Sequence, residues 1–302
     1  MSILVTGATG FIGKELNLKV ECRSVLRGCS SESDEKCFFI EQLDGVTSWN
    51  NAFVGIESVI HLAGLAHSDT FTLSDYRTVN VEGTLHFARE AAEAGVKRFV
   101  FVSSIGVNGF VSNCRPFTSA AKPMPHSDYA QSKYEAEIGL INISEETGLE
   151  VVIVRPTLVY GVNAPGNFGR LTKLVQKFTF LPFGLVNNKR DFIAVQNLVD
   201  LLILCARHPN AAGHIFLASD GETVSIKEFT NAIAKGLGKI VIQCPVPISL
   251  MKATSKVLGR SAMIYQLFSN LEVDSSNTKE VLGWSPPYTM EQAMASLSEN
   301  KK

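Results

Sequence analysis

The stretch Ile3-Leu4-Val5-Thr6-Gly7-Ala8-Thr9-Gly10-Phe11-Ile12-Gly13 decides how this 302-residue chain folds. A short apolar run enters directly into three glycines spaced G-x-x-G-x-x-G. The run reads as a buried strand. The glycines allow a tight turn, close backbone approach to a pyrophosphate, and close packing of the next helix on the strand. The start of that helix offers free N–H groups to the phosphates. Gly7, Thr9, Gly10, Phe11, Ile12 and Gly13 are therefore candidate dinucleotide-binding residues.

Working outward, apolar runs alternate with amphipathic stretches through the first half. Strands are expected at 3–6, 20–26, 38–40, 59–61, 98–102 and 151–154. Helical patterns at 81–93 and 128–147 stop at Gly95 and Gly148, and glycine after a periodic run ends a helix. Such alternation implies parallel pairing, and FVFV at 99–102, apolar on both faces, suits a strand covered on both sides. The expected fold class is α/β, a doubly wound, Rossmann-like parallel sheet with a smaller, mostly helical C-terminal substrate domain. The dinucleotide domain is expected over 1–165, with 191–219 (a helix at 195–206 and a strand at 214–218) returning to it. The substrate domain takes 166–190 and 220–302. Residues 163–188, rich in Gly, Pro and Asn, read as irregular, and the tail after Ser296 as frayed. Only about six residues separate Gly13 from Val20, which leaves an unusually short first crossover helix.

Composition narrows the class. With 45% hydrophobic residues and a net charge of −1, the composition is that of a compact soluble protein and argues against nucleic acid as the main partner. Cys22, Cys29, Cys37, Cys114, Cys205 and Cys244 form no C-x-x-C pair, so reduced thiols and no metal are expected. The N-terminal residues lack a signal-peptide pattern, and the run 198–206 is interrupted by Asp200 and too short for a bilayer. The expectation is a cytoplasmic protein with no membrane partner.

Tyr129-Ala-Gln-Ser-Lys133 sets a tyrosine and a lysine four apart on one helix face. A phenol is a poor base at neutral pH. A neighbouring ammonium favours the phenolate, so the pair suits acid–base work on an alcohol or ketone oxygen. Ser103 and Ser104 follow an apolar strand, where strand ends line the ligand crevice of an open α/β sheet. Arg27 ends the second strand, where a carboxylate would bind the ribose hydroxyls of NAD and an arginine suits the 2′-phosphate of NADP.

Together these features resemble the extended short-chain dehydrogenase/reductase family, in the branch acting on nucleotide sugars. The marks are GATGFIG at 7–13, HLAG at 61–64, NVEGT at 80–84, SSIGVNG at 103–109, YAQSK at 129–133, RPTLVYG at 155–161, RDFIAVQNLVD at 190–200 and LGWSPP at 282–287. The resemblance implies that Leu62, Ala63 and Gly64 pass beneath the cofactor, and that Asp44, Ser103 and Pro156 belong to the same cofactor set. It implies catalytic roles for Tyr129, Lys133, Ser104 and Asn80, although an asparagine there also reads as a helix N-cap. Ser104 would touch the sugar oxygen, and Arg190 would lie near the nucleotide diphosphate. The implied cofactor is NADP or NAD, the substrate a nucleotide sugar, UDP-linked, and the assembly a homodimer through the helices at 81–93 and 128–147.

Two departures bear on activity. Many 4-epimerases carry asparagine where this chain has Leu158, and an acidic residue where it has Arg27. Asn167 or Asn188 could replace the missing polar contact. The C-terminal stretch, with LGRS at 258–261 and NLEVDSS at 270–276, resembles bacterial proteins of polysaccharide assembly, among them 4-epimerases and 4-ketoreductases. The leading expectation is reduction of a nucleotide-linked 4-keto sugar. The alternatives are 4-epimerisation with retained NAD, and a non-catalytic regulatory protein that only binds the dinucleotide.

Overall fold

Each apolar run of the first half becomes a strand of a single sheet. The computed structural model describes residues 2–28, 36–66, 70–112, 115–257 and 261–299; Cys29, Cys114 and most of the LGRS stretch lie outside them. In chain order the elements begin β1 (Ile3–Thr6), α1 (Phe11–Lys19), β2 (Arg23–Arg27), β3 (Cys37–Ile40), β4 (Ser58–His61), α2 (Leu73–Tyr76), a π-helix (Arg77–Gly83) and α3 (Thr84–Glu93). β5 (Arg98–Val102), α4 (Asp128–Thr147), β6 (Glu150–Pro156), β7 (Leu158–Tyr160), α5 (Gly166–Lys177), β8 (Phe180–Leu181), β9 (Phe192–Ala194), α6 (Val195–Arg207) and β10 (Ile215–Ala218) follow. The chain closes with α7 (Ile226–Gly236), β11 (Ile242–Gln243), α8 (Ile248–Val257), α9 (Ser261–Phe268), α10 (Ser276–Leu282) and α11 (Met290–Glu299).

The seven-stranded sheet has the order β10-β6-β5-β4-β1-β2-β3, and every pairing is parallel. Strand order reverses between β1 and β4, which opens a crevice at their carboxyl ends. This is the doubly wound α/β sheet expected. Two buried clusters cover its faces. Val100, Val152 and Leu198 belong to one, and Phe87, Phe99 and Leu140 to the other. A third core, holding Phe168, Phe192, Phe229 and Met294, gathers α5, α7 and α11 beyond the sheet. Asp220 ties the cores together, accepting hydrogen bonds from Tyr160 Oη (2.7 Å), the Ala194 amide (3.1 Å) and Asn197 Nδ2 (2.7 Å).

Several boundaries correct the sequence reading. The first crossover helix is nine residues long because it starts at Phe11, inside the glycine motif. The second strand starts at Arg23 rather than Val20, where Arg23 meets Leu4. The stretch read as irregular contains α5, whose Phe168, Leu171 and Val175 bury one face despite the Gly and Pro residues before it. The C-terminal tail stays helical to Glu299.

Candidate active site

The glycine turn sits at the crevice. Gly7 has φ +71°, and a Cβ there would lie 2.8 Å from the Ala63 amide nitrogen. At Gly13 a Cβ would lie 2.3 Å from the Gly7 carbonyl oxygen, so helix and turn approach too closely for any side chain. The Gly10 amide donates to the Gly7 carbonyl at 2.9 Å and closes the turn. Thr6 Oγ1 accepts from the Ala63 amide at 3.2 Å, which fixes the 62–64 segment beside it. Ser103 Oγ, just past the end of β5, is buried without a hydrogen-bond partner among the described residues, and it lines the adjoining cavity. A cradle that excludes side chains and an unsatisfied buried hydroxyl both fit a bound dinucleotide.

Arg27 is exposed, two residues past the Thr6–Val25 pair and level with the glycine turn. Asp44 serves its own loop, accepting from the Val46 amide at 3.0 Å and Thr47 Oγ1 at 2.9 Å, and it does not line the cavity.

Helix α4 delivers the tyrosine and lysine. Ser127 caps it, accepting from the Ala130 amide at 3.2 Å, and Gly148 ends it in the left-handed conformation. Tyr129 is hydrogen-bonded to Ser104, and its ring meets the edge of Tyr76 at 6.1 Å. Burial pushes the Tyr129 phenol up to about 12, only partly offset by Ser104. The phenol thus keeps its proton, the form from which it can act as the acid of the expected acid–base pair. Lys133 donates to the Val102 carbonyl at 3.0 Å and lies 4.6 Å over the Phe101 ring. Its ammonium is pushed down to about 8 by burial, against the pull of Glu137 one turn on. Glu137 in turn pairs with buried Arg155, which also donates to Asn108 Oδ1 at 2.9 Å. That chain of buried charges anchors α4 to β6.

Asn80 is not a helix cap. It is buried within the π-helix, where Oδ1 accepts from the Leu65 amide (2.7 Å) and Nδ2 donates to the Leu65 carbonyl (3.2 Å) and Ser132 Oγ (3.1 Å). It thus clamps the segment after β4 to α4. His61 is buried between Thr6 Oγ1 (2.7 Å) and Thr84 Oγ1 (3.0 Å). Burial first, then the Lys133 charge, push its imidazole down to about 3 and keep it neutral.

A cavity of about 1070 Å³ runs from the sheet ends into the third core. Ile12, Leu62, Gly64, Ser103 and Pro156 line its sheet end, with Ser104, Tyr129 and Lys133 beside them. Asn167 and Arg190 line the far part. The Arg190 Nη1 atom is committed to the carbonyls of Gln266 (2.6 Å) and Ser269 (2.9 Å), and burial lowers its guanidinium to about 10. Asn188 holds the carbonyls of Leu267 and Ser269 and lies off this cavity. Leu158 lines the wall, as do Arg170, Phe110, His126 and Phe183, none of which the motifs singled out. Arg170 was detectable only by recognising α5, three residues on from Asn167.

The model of the NAD dependent epimerase/dehydratase family matches residues 3–219. A UDP-glucose 4-epimerase of Vibrio cholerae is 40% identical, over 99% of this chain and 94% of its own length. Among solved structures, UDP-glucuronic acid 4-epimerase from Bacillus cereus in complex with NAD superposes with a TM-score of 0.77 at 19% identity, covering 99% of this chain and 96% of that one. RMD from Pseudomonas aeruginosa complexed with NADPH gives a TM-score of 0.74 at 20% identity, covering 99% of both chains.

Proposed function

This chain belongs to the NAD dependent epimerase/dehydratase family, and on that premise we propose that it reduces a nucleotide-linked 4-keto sugar, UDP-linked, using NADPH. The observation that carries this reading is Arg27, an exposed guanidinium beside the glycine turn where NAD binding would want a carboxylate. Leu158 supports it. An apolar wall there grips a nucleotide sugar less firmly than an asparagine, and a reductase needs only one binding pose for its ketone.

The residues present suit each part of the reaction. The glycine turn, Ser103 and Arg27 would hold the dinucleotide, which supplies the hydride when bound. Tyr129 keeps its proton at neutral pH, because burial raises the phenol, and it donates that proton to the sugar oxygen as charge develops there. Ser104, bonded to Tyr129, positions the same oxygen. Lys133 is still largely an ammonium at pH 7 and stabilises the phenolate left behind. Arg170 and Asn167 would contact the diphosphate, since the Arg190 Nη1 atom already serves backbone carbonyls.

The test supplies a UDP-linked 4-keto-6-deoxy-N-acetylhexosamine with NADPH to the purified protein. The expected result is stoichiometric loss of NADPH absorbance, with NADPH bound more tightly than NADH and that preference shrinking in Arg27→Ala. A second reading, 4-epimerisation with retained NAD, draws support from the 40% identity to the Vibrio cholerae UDP-glucose 4-epimerase. Interconversion of UDP-linked 4-epimers without added cofactor, and with no net absorbance change, would establish it and refute the reductase.

A further inference from the structure

One face of the molecule carries features that the reaction does not use. β8 and β11 pair in parallel with Phe180 opposite Ile242. Phe178 and Ile240 precede them by two residues each, at the entry to the ribbon. Those four side chains are open to solvent, at 47% for Phe178, 64% for Phe180, 85% for Ile240 and 49% for Ile242. The ribbon itself is anchored, with Leu181 buried and Val241 packed on the third core. Leu185 is also exposed, and the Gly184 amide beside it bonds the Cys244 carbonyl at 3.0 Å, next to β11. Single exposed apolar residues are ordinary, but a contiguous row marks a contact surface.

The charge around this row points to its partner. In sequence, segments 161–190 and 237–271 together hold no aspartate or glutamate and nine lysines and arginines, two of which, Arg170 and Arg190, line the cavity rather than the row. The chain as a whole has 28 basic and 29 acidic residues, so 19 basic residues face 29 acidic ones elsewhere. Lys177 lies 5.6 Å over the Phe178 ring, and Lys239 bonds the Gln176 carbonyl, so both cations border the apolar row. Exposed Lys173 lies one turn earlier on α5. Two copies meeting through this face would bring like charges together. An apolar row collared by lysines matches the surface of an anionic bilayer, where apolar side chains enter the headgroup level and lysines meet lipid phosphates.

We propose that this face seats the protein peripherally on an anionic lipid bilayer. Pro182 and Phe183, just after β8, and Met251 on α8 line the cavity, so docking sets the cavity beside the membrane. No helix among the described residues is long and apolar enough to cross a membrane. Under this proposal the contact is peripheral, where the sequence alone led to the expectation of no membrane partner.

The test is cosedimentation of the full chain with vesicles of equal parts phosphatidylglycerol and phosphatidylcholine, and with vesicles of phosphatidylcholine alone. Binding is expected to the first and not the second, and to weaken as salt rises. Each of Lys177→Ala and Lys239→Ala is expected to weaken it about fivefold. The double variant Phe180→Asp/Ile242→Asp is expected to lose at least about tenfold while its melting transition and turnover stay at wild-type values. The proposal fails if the wild type stays in the supernatant, if both vesicle types bind it equally, or if the double variant sediments like the wild type. It also fails if the double substitution dissolves a wild-type oligomer built on this face, or if the face captures nucleic acid in preference to the vesicles.

Discussion

Replacing Lys133 with methionine is expected to stabilise the fold while removing function. Lys133 is buried, and its ammonium is lowered from 10.5 to about 8. The unfolded chain therefore holds this proton more tightly than the native protein does. Between pH 8 and 10.5 stability rises with pH, and below pH 8 the full penalty of the buried ammonium is present. At about 1.36 kcal/mol per tenfold, the penalty is roughly 3 kcal/mol at pH 7 and under about 1 kcal/mol at pH 10. Methionine keeps the unbranched stem and carries no charge. Its loss of the bond to the Val102 carbonyl weighs nearly equally at both pH values and drops out of the comparison. Urea unfolding of wild type and Lys133→Met at pH 7 and pH 10 measures the gap between them. The variant's advantage at pH 7 should exceed that at pH 10 by about 2–3 kcal/mol, with turnover strongly reduced at both. A gap unchanged between the two pH values would refute the reasoning, because the cost of the buried charge would then be absent.

Tyr129→Phe is expected to lower turnover by about 10²–10⁴-fold with little change in dinucleotide affinity, read by steady-state kinetics and calorimetry. Gly13→Ala places a Cβ 2.3 Å from the Gly7 carbonyl oxygen and 2.6 Å from the Ala8 Cα, both backbone atoms. Opening the turn to admit it should weaken dinucleotide binding by about ten- to a hundredfold in the same calorimetric assay. Arg155→Ala strands the buried Glu137 carboxylate and should cost about 3–5 kcal/mol in urea unfolding, whereas Arg155→Met combined with Glu137→Leu should recover most of it.

Elements bounded by their own punctuation were legible from the sequence. β1 stops at Gly7, and α4 runs from its Ser127 cap to Gly148, so both ends are written locally. α5 was obscured because Pro165 and Gly166 open it, and its apolar spacing is visible only once Phe168 has a third core to enter. β7 and β9 carry little signal of their own for a similar reason, since each is three residues long and is defined by the other. In the site, Tyr129, Lys133 and Ser104 could be grouped from chain order, and the structure brings them to one cavity wall. The state of Tyr129 could not be read the same way. Its phenol rises because distant segments bury it, and the lysine four residues on turns to a carbonyl instead. Arg190 shows the converse. The motif singled out a cation near a ligand, and Gln266 and Ser269, far along the chain, supply carbonyls that occupy it.

The route of the chain between cores limits how this protein can be recombined. The chain enters the third core at Tyr160, returns to the sheet core at Ile193, and goes back at Ile226. Leu282 and Trp284 visit the sheet core once more before Met290 closes the third. A gene chimera with a single crossover therefore always mixes parental halves within at least one core. Its hydrophobic contacts would join residues that never evolved together, even where the junction lies in an exposed loop. Exchanging the ligand-facing lobe between relatives requires several junctions placed together, at the points where the chain changes cores, and shuffling experiments should find folded progeny concentrated in those multi-junction combinations.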